Sequence, residues 1–292
     1  MPALIALSVL ALLLWLDKAL PQSGVVMLLL LSLSVGFAHG ALDAVLLPLR
    51  LVSRALVVLM FVAYLLAVLV LGWLLSTQIS LALWLLLLLS AWHFGEPYSR
   101  WDGLPALPSL LTRAVVGGAP VMLPVWLAPD WLASILMLVV PSAGLRGWQA
   151  LAMVWLVLLV VWLLLCGIRQ RQTLRYAWLE LLACVLLNTI FSPLMAFALY
   201  FGVYHAPVHV WRVWRVLGQA RTSRVMTMAV LALTMVLTWL LGAALWWTLV
   251  SGSGTQPDWA TALRWLIVAF AALTAPHLVL ISLCSKLLAH GK

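Results

Sequence analysis

The chain has 292 residues, of which 66% are apolar and 8% charged, with a formal net charge of +9. A soluble domain carries roughly 25% charged residues, so a water-facing surface is excluded and the expected solvent is lipid. Nucleic acid is excluded as a partner too: the basic residues stand in short clusters between apolar runs, not along one helix face, and in that setting they report membrane orientation.

A membrane-spanning helix takes about 20 apolar residues, and cutting the chain at charges, prolines and glycines predicts an all-α, polytopic transmembrane bundle of about ten helices, eight at the fewest. No polar linker divides it, so it reads as a single integral membrane domain over 1–292. The first segment, 3–20, lacks a basic leader and a small-residue cleavage site and reads as a retained helix. The second, 24–49, carries His39 and Asp43. The third is 54–75. The fourth, 79–95, ends on Trp92, His93 and Phe94, with Glu96 just beyond. The fifth, 110–127, holds Gly117, Gly118, Pro120 and Pro124 and is expected to be broken. The stretch 129–140 is too short to span and is expected to lie in the interface or re-enter. The sixth is 147–168, and the seventh, 174–191, has Glu180 one turn in, where nearby arginines could pair with it. The eighth, 193–216, carries His205 and His209, the ninth is 225–250, and the tenth, 259–288, carries His277. Cys166, Cys184 and Cys284 show no paired spacing and read as small buried hydrophobes. The 18 tryptophans read as interfacial belts, some as walls of a ligand cavity.

The connectors test this frame. Arg50, Arg54, Arg100, Arg113, Arg169, Arg171, Arg175, Arg212, Arg215, Arg221, Arg224, Lys286 and Lys292 fall on one side, and Lys18, Arg146 and Arg264 on the other. That asymmetry predicts both termini on the cytoplasmic side of a multi-pass protein, in a bacterial cell the inner membrane.

Ionisable groups inside a membrane are costly and mark function by default. His39 lies 11 residues before Arg50, His93 7 before Arg100, His205 7 before Arg212 and His277 9 before Lys286. Their helices all run toward the same side, so at about 1.5 Å per residue the four depths agree within about 6 Å. One convergent layer explains that agreement. His205 and His209 form an HxxxH pair on one helix face, suited to two ligands on one ion. Imidazole is a ligand for zinc, copper, iron or nickel. Asp43, one turn from His39, could orient it by accepting its other N–H. Glu96 is either a similar partner to His93 or a solvated carboxylate. His290 lies in the terminal tail and reads as solvated. Both Lys18 and Lys286 lie near membrane boundaries, which argues against a retinylidene Schiff base.

The histidine contexts are more specific. Gly36-Phe37-Ala38-His39-Gly40-Ala41-Leu42-Asp43, Trp92-His93-Phe94-Gly95-Glu96, Tyr204-His205-Ala206-Pro207-Val208-His209 and Pro276-His277-Leu278 resemble, in content, order and spacing, the Brp/Blh family of bacterial and archaeal membrane β-carotene 15,15′-dioxygenases. The resemblance covers roughly residues 30–285. It implies a helical membrane enzyme with one non-haem Fe(2+). It implies cleavage of the central double bond of β-carotene by O2 to two molecules of retinal. It implies His39, His93, His205 and His209 as the iron ligands, and leaves His277 as a second-layer or substrate-pocket residue. After Glu96 the chain departs from expectation, running Pro97-Tyr98-Ser99-Arg100 where another acidic residue is expected. A relative acting on another carotenoid is the alternative within the family.

A neutral four-histidine set would leave iron positively charged, with one or two positions open for dioxygen beside an apolar alkene. Such a substrate needs no polar anchor, so the pocket can be aliphatic and aromatic. Trp92, Phe94, Tyr200, Tyr204, Trp211 and Trp214 neighbour the histidines and are candidate walls. Three other readings stay open: a haem-binding membrane electron carrier, a di-metal desaturase and a transporter with a histidine proton relay. The desaturase needs more histidines than the six present.

Overall fold

In lipid a backbone must pair its polar groups within its own segment, which for long apolar runs leaves the α-helix. The computed structural model describes residues 2–20, 23–31, 36, 54–98, 105–137, 139–140, 142–167, 174–211, 229, 232–233, 236, 239–240 and 259–289, and every regular element among them is helical. In chain order these are α1 (Pro2–Ala19), α2 (Ser23–Leu31), α3 (Arg54–Thr77), α4 (Ile79–Phe94), a 3-10 turn (Glu96–Tyr98), α5 (Ala106–Leu127) and α6 (Pro129–Leu136). Then come α7 (Ser142–Trp162) with a π-helical extension (Leu163–Gly167), α8 (Arg175–Ile190), α9 (Pro193–Leu199) with a π-helical extension (Tyr200–His205), and α10 (Trp259–Ala289). Among the described residues, four helical stretches are long and apolar enough to cross a membrane: Val58–Thr77, Ala106–Leu127, Arg146–Leu165 and Ala260–Leu280. The second expected span beyond residue 31 and nearly all of the ninth lie outside the described residues.

The chain divides into two compact units, Met1–Leu28 with Ser90–Tyr200, and Leu29–Leu89 with Phe201–Lys292. In the first unit the densest packing joins α5 to α7 and α8. Three tryptophans spaced by seven residues line the α7 side. Trp148 Nε1 donates to the Val121 carbonyl at 3.1 Å, Trp155 Nε1 to the Val115 carbonyl at 3.0 Å, and Trp162 Nε1 to Thr112 Oγ1 at 2.8 Å. The partners descend as the tryptophans ascend, so the two helices run antiparallel. All three indoles are buried, Trp162 completely. The belt assignment is therefore corrected for these three: a ring whose N–H meets a carbonyl or hydroxyl of the neighbouring helix can sit in the interior without an unmet donor.

The expected break in the fifth segment is also corrected. α5 runs unbroken from Ala106 to Leu127 through Pro120 and Pro124. Each proline leaves a carbonyl one turn earlier without its usual donor, but packed neighbours hold such a helix together in a membrane. Nearly every residue from Val115 to Val125 is buried. Gly117 and Gly118 serve that packing. A Cβ at Gly117 would strike the Ala91 carbonyl and Gly95, and one at Gly118 would strike the Trp155 ring. The stretch that follows forms the eight-residue helix α6, Pro129–Leu136.

At the other end of this unit Phe191, Met195 and Ala196 form a buried cluster packed by Leu13, Leu14, Met27, Leu187 and Leu199. Asp17 joins α1 to the start of α9: its carboxylate accepts the Ser192 N–H at 2.6 Å and the Ser192 hydroxyl at 2.5 Å. A carboxylate there meets the positive end of a helix.

In the second unit α3 packs antiparallel along α10. Gly72 lies against Ala272, and Arg264 Nη2 donates to the Ser76 carbonyl at 3.1 Å near the end of α3. The opposite side of α3, with Leu69, Val70 and Trp73, is exposed, as a lipid-facing surface would be.

Candidate functional site

His93 is the penultimate residue of α4 and is buried. The carbonyls of a last helical turn lack helical donors. Here Arg113, from α5, donates Nε to the Trp92 carbonyl at 3.1 Å and lays its guanidinium 3.5 Å over the Trp92 ring. The charge alternation counts Arg113 with a connector; it stands instead within α5. A Cβ at Gly95 would strike the Arg113 carbonyl, so the glycine of the Trp-His-Phe-Gly string is what lets α5 close on the end of α4.

The chain then turns through Glu96–Tyr98, and the buried Tyr98 donates its hydroxyl to Glu180 Oε2 at 2.5 Å. Tyr200 donates to Glu180 Oε1 at 2.7 Å, and Phe94 packs edge-on against the Tyr200 ring at 5.3 Å. Ser109 donates to the Tyr98 carbonyl at 2.8 Å. Glu180 is itself buried. Its described partners include two tyrosines, Tyr98 and Tyr200, while Arg169 and Arg171, two of the arginines to which the sequence pointed, lie outside the described residues.

In the second unit the π-helical segment ends on His205, which is buried with its ring stacked on Phe201 at 6.1 Å and 16°. Phe201 also meets Phe270 of α10 edge-on at 5.2 Å. A Cβ at Gly36 would strike the Phe201 ring. The glycine three residues before His39 therefore touches the ring that supports His205. His209 has a different neighbour: its ring and that of His277 stand 5.6 Å apart at 61°. His277 is almost fully buried, beside Pro276 inside α10. Nε2 of both rings, and Nδ1 of His93, are buried and form no hydrogen bond with the described residues, although each ring takes part in other contacts.

Of the expected ligands, then, His93 lies in the first unit and His205 and His209 in the second, with His277 beside His209. His39, Asp43, Trp214 and His290 lie outside the described residues. Glu96 is partly exposed; Phe94 and Tyr200 are buried, whereas Trp92, Tyr204 and Trp211 are exposed. Among the described residues no three His, Cys, Asp or Glu side chains gather in a set that could hold a metal ion. The chemistry of the donor pair is nonetheless compatible with one. With bonds of about 2.0–2.1 Å, two imidazoles on one ion place their centroids about 4.5–6.5 Å apart, and His209 and His277 fall in that range. Sequence reasoning left His277 open and missed Asp17 and the tyrosines on Glu180. The seven-residue spacing of Trp148, Trp155 and Trp162 is a sequence signal that could have found one of the buried hydrogen-bond sets.

A family model described as Beta-carotene 15,15'-dioxygenase matches residues 26–285. A protein of an uncultured marine bacterium (66A03) bearing the name Beta-carotene 15,15'-dioxygenase is 26% identical over 268 residues, which are 87% of this chain and 91% of that protein. No solved structure matches the chain.

Proposed function

This chain belongs to the β-carotene 15,15′-dioxygenase family, and we propose that it is an integral membrane iron enzyme that cleaves the central double bond of β-carotene with O2 to give two molecules of all-trans-retinal. The observation that carries the reading is the extent of the family match, which takes in every histidine motif from His39 to His277. One C=C bond breaks and two aldehyde C=O bonds form, each taking one atom of the dioxygen. His39, His93, His205 and His209 would hold the Fe(2+). When bound, iron supplies the activation of dioxygen that an alkene in lipid cannot achieve by itself.

The chain's own residues do the rest. The buried imidazoles of His93 and His205 offer nitrogen donors where water is excluded. Phe201 supports the face of the His205 ring, and Phe94 and Tyr200 form an aromatic surface beside His93 in the sequence. Asp43, four residues from His39 in the sequence, would orient it by accepting its second N–H. Glu96 would do the same for His93. The polyene enters sideways from the bilayer, which already dissolves it, and apolar walls set which bond is presented. The distribution of arginines and lysines in the sequence supports a multi-pass protein of the bacterial inner membrane with both termini cytoplasmic.

The test is expression in cells that accumulate β-carotene, with the His205→Ala protein in parallel. Wild type should bleach the cells and yield retinal, and the variant should do neither. Intact β-carotene with another carotenoid consumed would move the substrate within the family. A Soret band in the purified protein would replace the reading with a haem-binding electron carrier.

A further inference from the structure

Glu180 is a buried carboxylate that the reaction itself does not use. An ionisable group buried in a membrane bundle is costly and marks function by default, so packing alone does not account for it. Both of its oxygens are engaged, and both partners lead to the same place. Tyr98, on Oε2, is five residues after His93 and closes the 3-10 turn that follows α4. Tyr200, on Oε1, carries the ring on which Phe94, the residue next to His93, packs edge-on at 5.3 Å. Both tyrosines are buried, so neither hydroxyl has water as an alternative acceptor.

Further restraints on this turn come from α5. Arg113 holds the Trp92 carbonyl and ring, and Ser109 holds the Tyr98 carbonyl. The end of α4 and its turn are thus held by side chains of α5 and, through Glu180, by α8.

We propose that Glu180 is a positioning residue for His93: its carboxylate, by fastening Tyr98 and Tyr200 together, fixes the end of α4 and with it the imidazole offered to the metal. This rests on His93 being an iron ligand, as proposed above. An ordinary structural role would change the stability of the fold. A positioning role changes the hold on iron and the turnover while the fold persists.

The experiment uses the full chain, purified in lipid nanodiscs. Iron per chain at fixed free Fe(2+), kcat and KM for β-carotene, and Tm are measured for wild type, Glu180→Leu, Glu180→Gln and Tyr98→Phe. Trp148→Phe, which removes a buried hydrogen bond far along α7 from this turn, serves as the structural control. Glu180→Leu should lose about 10- to 100-fold in iron affinity or kcat, the usual effect of removing a partner behind a metal ligand, with little change in KM. Glu180→Gln, which keeps one acceptor oxygen, should recover most of that loss. Trp148→Phe should lower Tm and leave iron and kcat alone. Glu180→Leu with wild-type iron and kcat overturns the proposal. If Glu180→Leu does not fold, Tyr98→Phe decides in its place, since it leaves Glu180 bonded to Tyr200: reduced iron or kcat supports the proposal, and wild-type values overturn it. Wild type that neither binds iron nor cleaves a carotenoid overturns the iron reading itself, and this proposal with it.

Discussion

The rings of His209 and His277 stand 5.6 Å apart, edge toward face, although 68 positions separate them in the chain. One belongs to the HxxxH pair that the sequence singles out; the other is the histidine to which no role was given. His209→Ala should abolish iron binding. His277→Ala should weaken it about 10- to 100-fold, as loss of a ligand's neighbour does. Metal analysis and iron titration of the purified variants check both, and unchanged iron in His277→Ala would remove that residue from the centre.

Gly36 should not tolerate a larger side chain. Its neighbour Phe201 is buried between His205 and Phe270, so the ring has little room to retreat. Gly36→Val is expected to cost about 1–3 kcal/mol by overpacking and to lower retinal formation by displacing the His205 support. Unfolding in bicelles gives the first quantity and product assay the second. A variant with wild-type values in both would show that Phe201 moves freely.

Arg113→Gln removes the charge over Trp92 and weakens the bond to its carbonyl. A loss of about 1–3 kcal/mol is expected, from a charged hydrogen bond together with a cation–π contact. Arg113→Lys should not rescue it, because an ammonium has no planar fork with which to stack and donate together. Equal stability of the Lys variant and wild type would refute that account.

Chelation should abolish carotenoid cleavage, and Fe(2+) should restore it where Zn(2+) does not, since zinc has no redox chemistry with which to activate dioxygen. Product assays after stripping and reloading decide this; restoration by zinc would exclude the proposed chemistry.

The histidine motifs and the apolar runs could be read from the sequence because each reflects a local requirement. The runs 54–75 and 79–95 reappear as α3 and α4 nearly residue for residue, since bilayer thickness acts on every segment singly. The family strings were equally legible, and the match over 26–285 bears them out. Contacts between distant segments were not. Pro120 and Pro124 signal a break when α5 is considered alone, yet the helix continues because α4, α7 and α8 enclose it. Trp148, Trp155 and Trp162 visibly share one face, but that this face meets Val121, Val115 and Thr112 depends on residues 27 to 50 positions away. That Glu180 accepts from both Tyr98 and Tyr200 depends on residues 82 and 20 positions away, which the sequence around it does not announce.

The clasp between Asp17 and Ser192 has a consequence for biosynthesis. Its two halves are 175 residues apart, an interval of roughly 9–35 s at a synthesis rate of about 5–20 residues per second. During that time α1 carries a carboxylate whose final donors do not yet exist. The packing of α1 must therefore wait on the arrival of α9, and a nascent chain stalled before Ser192 would leave the Asp17 carboxylate without its clasp, a recognisable mark of an unfinished protein.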